Sequence, residues 1–120
     1  MEEPTRESMG RIEVAPEVLA TIAQYAVRRV EGFSQMAPIP PYIANMFRRA
    51  TRQEGIVLDI VENRARFNIY VIMEPQVNVL DASRKIQKAV TEAIDTLVGI
   101  PVDAVNVHVE DVTYAHGEVI

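Results

Sequence analysis

His108 and Glu110 stand two residues apart late in the chain, with Asn106 two residues before them. An imidazole and a carboxylate on one face of a strand are the material of an acid–base pair or of half a metal site. The set ends there, and two ligands without a third hold a metal poorly. Solvated polar groups on an open sheet face are the simpler reading, and neither metal nor cofactor is expected. A second set is Arg48, Arg49 and Arg52, three cations close together beside Met46 and Phe47. Such a cluster could meet lipid headgroups, RNA or an acidic protein. The plainer alternative is an exposed helix face over a buried stripe of Ile43, Met46, Phe47 and Ala50. Ser8, Ser34 and Ser83 lie outside any strand-turn-helix nucleophile setting. The five glycines are scattered singly, so no phosphate loop forms. The KH-type RNA module needs a GXXG loop, which the sequence lacks. The expectation is a protein that is not an enzyme and has no small-molecule substrate.

Composition agrees. Seventeen acidic against twelve basic residues give a formal charge of -5, the wrong sign for a general nucleic-acid binder. The absence of cysteine removes disulfides and thiolate chemistry, as suits a reducing cytosol. The polar start, MEEPTRESMG, has no apolar run of a secretory signal. No stretch reaches the ~20 apolar residues of a membrane span. A cytoplasmic protein is expected, reaching the inner face of the membrane through a partner if at all.

The elements that must position these groups are centred on Gly55–Glu74. Two apolar runs with strand alternation flank Glu62-Asn63-Arg64-Ala65, which predicts a β-hairpin. Residues 1–9 are expected to be a disordered tail and residues 115–120 a short one, enclosing a single domain over 10–114. Gly10–Val14 alternates and predicts a first strand. Pro16 opens a helix whose stripe is Leu19, Ile22, Ala23, Ala26, Val27 and Val30, stopped at Gly32. Ser34–Pro41 is a proline-rich connection, and Tyr42–Arg52 a short helix. A long helix follows from about Val79 to Val98, with a last strand around Val105, Val107 and Val109. The order β-α-(short α)-β-β-α-β predicts an α+β two-layer sandwich, two long helices on one face of a four-stranded sheet. A split βαβ arrangement of ferredoxin-like type is the candidate topology.

With the elements in that order, several strings resemble the alkaline shock protein family. They are GRIEVAPEVLATIAQYAVRRVEGF at Gly10–Phe33, RFNIYVIME at Arg66–Glu74, KIQKAV at Lys85–Val90 and VGIPVDAVNVHVEDV at Val98–Val112. The resemblance implies a non-enzymatic interaction or scaffold protein of the cell-envelope stress response, self-associating, with a membrane-anchored protein as a possible partner. It supplies no catalytic residues. The chain departs from the pattern at Ala15, where a capping serine is usual, in Pro38-Ile39-Pro40-Pro41, and at Gln76, where glycine is common.

The hairpin alternation also divides the sheet faces. If the helices cover Ile56, Leu58, Ile60, Phe67, Ile69, Val71 and Met73, the other face carries Val57, Val61, Tyr70 and Ile72 among polar groups. Tyr70 and Ile72 ringed by Asn106 and His108 have the composition of an interaction patch. Interaction is therefore expected at Tyr70, Ile72, Asn106 and His108, with Arg48, Arg49 and Arg52 as the alternative, anion-binding surface.

Overall fold

The computed structural model describes residues 9–46 and 50–114. The expected tails (except Met9), His116, Arg48 and Arg49 fall outside those residues. The chain is α+β, in the order α1 (Pro16–Arg28), β1 (Phe33–Met36), α2 (Pro41–Met46), β2 (Thr51–Gln53), β3 (Ile56–Val61), β4 (Arg64–Met73), α3 (Val79–Leu97) and β5 (Val102–Val112).

The hairpin lies at the centre, as its alternation requires. Its turn is tighter than expected: Glu62 and Asn63 alone connect the strands, at φ 52 and 61, and Val61 pairs with Arg64. Two consecutive left-handed residues match the right-handed twist of the strands, so Arg64 and Ala65 belong to β4 rather than to the turn. β4 then acquires three neighbours. β3 runs antiparallel beside its first half and β1 beside its last three residues, both on one edge. β5 runs parallel to it along the other edge. The parallel pair needs a crossover, and α3 supplies it.

This corrects the expected topology. The sheet has five strands, ordered β1-β4-β3-β2 with β5 on the far side of β4, not the ferredoxin-like four. Gly10–Val14 forms no strand: it has no pairing partner among the described residues, and Gly10 sits at φ 89, outside the extended region. Part of the proline-rich connection, Phe33–Met36, is a strand. It bulges at Ser34, whose buried hydroxyl has no hydrogen-bond partner. The short helix is described over Pro41–Met46, and Thr51 and Arg52, expected at its end, belong instead to the strand Thr51–Gln53 that pairs with β3.

α1 and α3 pack side by side on one face of the sheet. Leu19, Ala20, Ala23 and Val27 meet Ile56, Leu58, Phe67, Ile69, Val71, Met73, Ala82, Ile86, Val90 and Ile94 in the main core. That is the stripe and the face the periodicity predicts, with three departures: Ala20 joins the core, Ile60, beside the hairpin turn, is 36% exposed, and Leu97, expected in the long-helix stripe, is 68% exposed. α1 starts on Pro16 without a side-chain cap, as Ala15 dictates. α3 is better begun: Asn78 Oδ1 accepts from the Asp81 amide at 2.9 Å. Gln76 holds φ 74, the left-handed conformation for which glycine is the natural residue.

Candidate functional site: the second sheet face and its open edge

On the face away from α1 and α3, alternation brings up Asn68, Tyr70 and Ile72 from β4. The parallel register sets Asn106 opposite Asn68 and His108 opposite Tyr70. The Tyr70 and His108 rings stack with centroids 4.4 Å apart and planes 11° from parallel. Asn68 Oδ1 lies 3.0 Å from His108 Nε2 and accepts from Asn106 Nδ2 at 3.3 Å. With that oxygen accepting, His108 Nε2 is the donor. Asn68, Asn106 and His108 thus satisfy one another.

The half of this face holding Tyr70 is covered from within the chain, which corrects the expected exposed patch. The segment from Ala37 through α2 folds across it. Ala37, Val57 and Tyr70 are buried together, with Ile39, Ile43, Ala50 and Ile72 packed around them. Tyr70 is 3% exposed and Ile72 half-buried. The physical reason is that Ile39 and Ile43 are themselves apolar and must be buried, and the Tyr70–Ile72 strip lies within reach. Those two isoleucines were the signal in the sequence. Met46, expected to share their stripe, points outward instead. Burial raises the Tyr70 phenol above its ordinary 10.0, and nearby Tyr42 and Glu110 raise it further.

Arg52 is engaged by the cover: its Nη1 donates to the Ala44 carbonyl and ties β2 to α2. It therefore stands apart from the Asn106–His108 group. Among the described residues no three His, Asp or Glu side chains gather as a metal site.

What this face leaves open lies along β5. Asn106 and Glu110 are exposed and His108 is half-buried. Among the described residues no strand pairs with the outer edge of β5, which is eleven residues long. Unpaired N–H and C=O groups on such an edge form a template for another strand. Gln87 Nε2 donates to the Val105 carbonyl at 3.0 Å, so one group of this strand is occupied from α3. The alternation of Val105, Val107 and Val109 marks only the middle of this strand, so the length of its edge is not evident from the sequence.

A two-layer α+β module with one long bare edge is the class of protein these features define. The chain belongs to the alkaline shock protein 23 family, of cell envelope-related function, whose pattern matches residues 4–114. The uncharacterized protein Spy1535 of Streptococcus pyogenes is 33% identical over 109 residues, 90% of this chain and 83% of that one. The uncharacterized protein YqhY of Bacillus subtilis is 19% identical over 88% of this chain and 79% of its own. Among solved structures, the MamM CTD aligns with a TM-score of 0.51 and 14% identity, over 81% of this chain and 99% of that one. That likeness is one of fold. No helix among the described residues is long and apolar enough to cross a membrane.

Proposed function

We propose that this chain is a non-catalytic, self-associating scaffold of the cell-envelope stress response, working at the cytoplasmic side of the membrane and docking to a membrane-anchored protein. The observation that carries the reading is the bare outer edge of β5 beside the polar group of Asn106 and His108. The same face keeps its large apolar groups under α2, so recognition falls to backbone pairing and polar contacts. Strand addition of this kind draws affinity from main-chain hydrogen bonds and specificity from alternate side chains. The family's cell envelope-related function supports the setting.

The test is sedimentation velocity over a wide concentration range, combined with amide hydrogen exchange. Self-association through the edge gives larger species at high concentration, with protection rising at the outward-facing amides of β5. A monomer at every concentration, with unchanged exchange, overturns the reading.

A further inference from the structure

The chain contains a second run of backbone that pairs with no strand among the described residues. Gly10–Val14 leads into α1, and no backbone hydrogen bond among the described residues ties it to the body. Gly10 has open space around it, and Ile12 is 96% exposed, the most exposed large apolar side chain described. Val14 is 46% exposed. Arg11 and Glu13 bond each other at 2.9 Å, so these two share one side of the segment. Ile12 and Val14 are left to the other side, as extended geometry requires.

We propose that Arg11–Val14 of one copy adds as an antiparallel strand to the β5 edge of a second copy, at Val107–Glu110. This rests on the self-association reading and names the two surfaces. The register is chosen by the side chains. With Arg11 opposite Glu110, Ile12 falls opposite Val109, Glu13 opposite His108 and Val14 opposite Val107. Val107 and Val109 are half-buried and already pack against the main core. Ile12 and Val14 would extend that core beyond the edge of the sheet. On the opposite side the polar groups match: the Arg11 guanidinium meets the Glu110 carboxylate, where β5 bulges against β4, and the Glu13 carboxylate meets the His108 ring. Opposite charges directly across a strand pair are favourable, and like charges unfavourable. The parallel alternative that keeps Ile12 and Val14 beside the same valines sets Arg11 against Asn106, losing its carboxylate. A one-residue slip turns Ile12 and Val14 to the polar face.

The occupant is a second copy because the chain's own segment has no path to the site. α1 packs over β1, β2 and β3, on the far side of β4 from β5, and α3 packs against β5. Ala15 alone separates Val14 from Pro16, the first residue of α1. Five extended residues reach about 17 Å. Crossing the two or three strand spacings from β3 or β2 to β5 takes roughly 10–14 Å of that, leaving at most two residues to lie along the edge, too few for a four-residue pairing.

The chain lacks cysteine, which makes the test clean. Two full-length chains, one carrying Arg11→Cys and the other Glu110→Cys, are mixed and oxidised. Residues facing each other across antiparallel strands stand about 4.5–5.5 Å apart at Cα, within disulfide range. The mixed disulfide dimer should exceed that from Arg11→Cys mixed with Glu62→Cys, whose cysteine lies at the exposed hairpin turn. Separately, Ile12→Asp should weaken self-association by about tenfold or more, the effect of withdrawing a buried isoleucine. Circular dichroism should not change, since Ile12 is all but fully exposed in the single chain. Oligomers without excess mixed disulfide, and indifferent to Ile12→Asp, overturn this pairing while self-association stands. A monomeric wild type overturns both.

Discussion

Gly55 is where the sheet is least able to accept change, and Gly55→Ala measures that directly. The residue holds φ 77, and a Cβ there would lie 2.8 Å from two backbone oxygens, those of Ala37 and Tyr70. Both are backbone atoms, and the strand around Tyr70 is pinned. The Tyr70 carbonyl accepts the Ala37 amide at 2.9 Å, and the Tyr70 amide donates to the Gly55 carbonyl at 2.7 Å. This is the junction at which β1 and β3 meet end to end against β4. A left-handed alanine costs about 1–2 kcal/mol, and overpacking a rigid site about 1–3 kcal/mol more. The sum, about 2–5 kcal/mol, is a large share of the 5–15 kcal/mol typical of a domain. Gly99→Ala supplies the control: φ is 84, yet nothing lies within 4 Å of its Cβ, so only the backbone cost applies. Urea denaturation followed by circular dichroism should place Gly55→Ala well below Gly99→Ala in midpoint, with similar slopes. If the two variants agree within about 0.5 kcal/mol, the junction is softer than its geometry implies and the reasoning fails.

Asn78→Ala removes the α3 cap and should cost about 1 kcal/mol, read from the same denaturation curves. His108→Ala strips the stack from Tyr70 and should destabilise by about 0.5–1.5 kcal/mol, whereas loss of a merely solvated histidine would change little. The raised Tyr70 pKa sets an alkaline limit. Below pH 10 the phenol is protonated in folded and unfolded chains alike. As pH rises past the unfolded value of 10.0 toward the folded one, the unfolded chain loses its proton first and stability falls. Tyr70→Phe should flatten that decline in denaturation midpoints measured between about pH 9 and 11; an identical slope in both proteins would remove Tyr70 as its source.

The hairpin, both long helices and the face they share were legible because each is long enough for its periodicity to show. Ile86, Val90 and Ile94 recur at helical spacing, and Phe67, Ile69 and Val71 at strand spacing, and all six are buried. Phe33–Met36 and Thr51–Gln53 were not legible. They are four and three residues long, and their strand state comes from the neighbour they lie against rather than from their composition. Gly10–Val14 fails the opposite way, with the pattern of a strand and no partner among the described residues. Of the candidate site, the grouping of Asn106 and His108 followed from alternation. Their stack and hydrogen bonds to β4 did not, because the parallel register is fixed by the α3 crossover. The Tyr70 cover required knowing where a proline-rich segment would fold back, and prolines fix φ without fixing direction.

The three neighbours of β4 also impose a sequence of events in time. Its pairing with β3 closes through two residues and can form within microseconds. Its pairing with β5 waits until α3 has formed and crossed the sheet, a far longer loop whose closure entropy must be overcome first. The same asymmetry runs in reverse under native conditions. β5 is held by β4 on one side and by α3 above, so its release would leave the pairing of β3 with β4 in place. Each such opening bares the second edge of β4, Ala65–Met73, along which Phe67, Ile69 and Val71 are buried. Slow aggregation on storage should therefore track the opening rate of β5 rather than global unfolding.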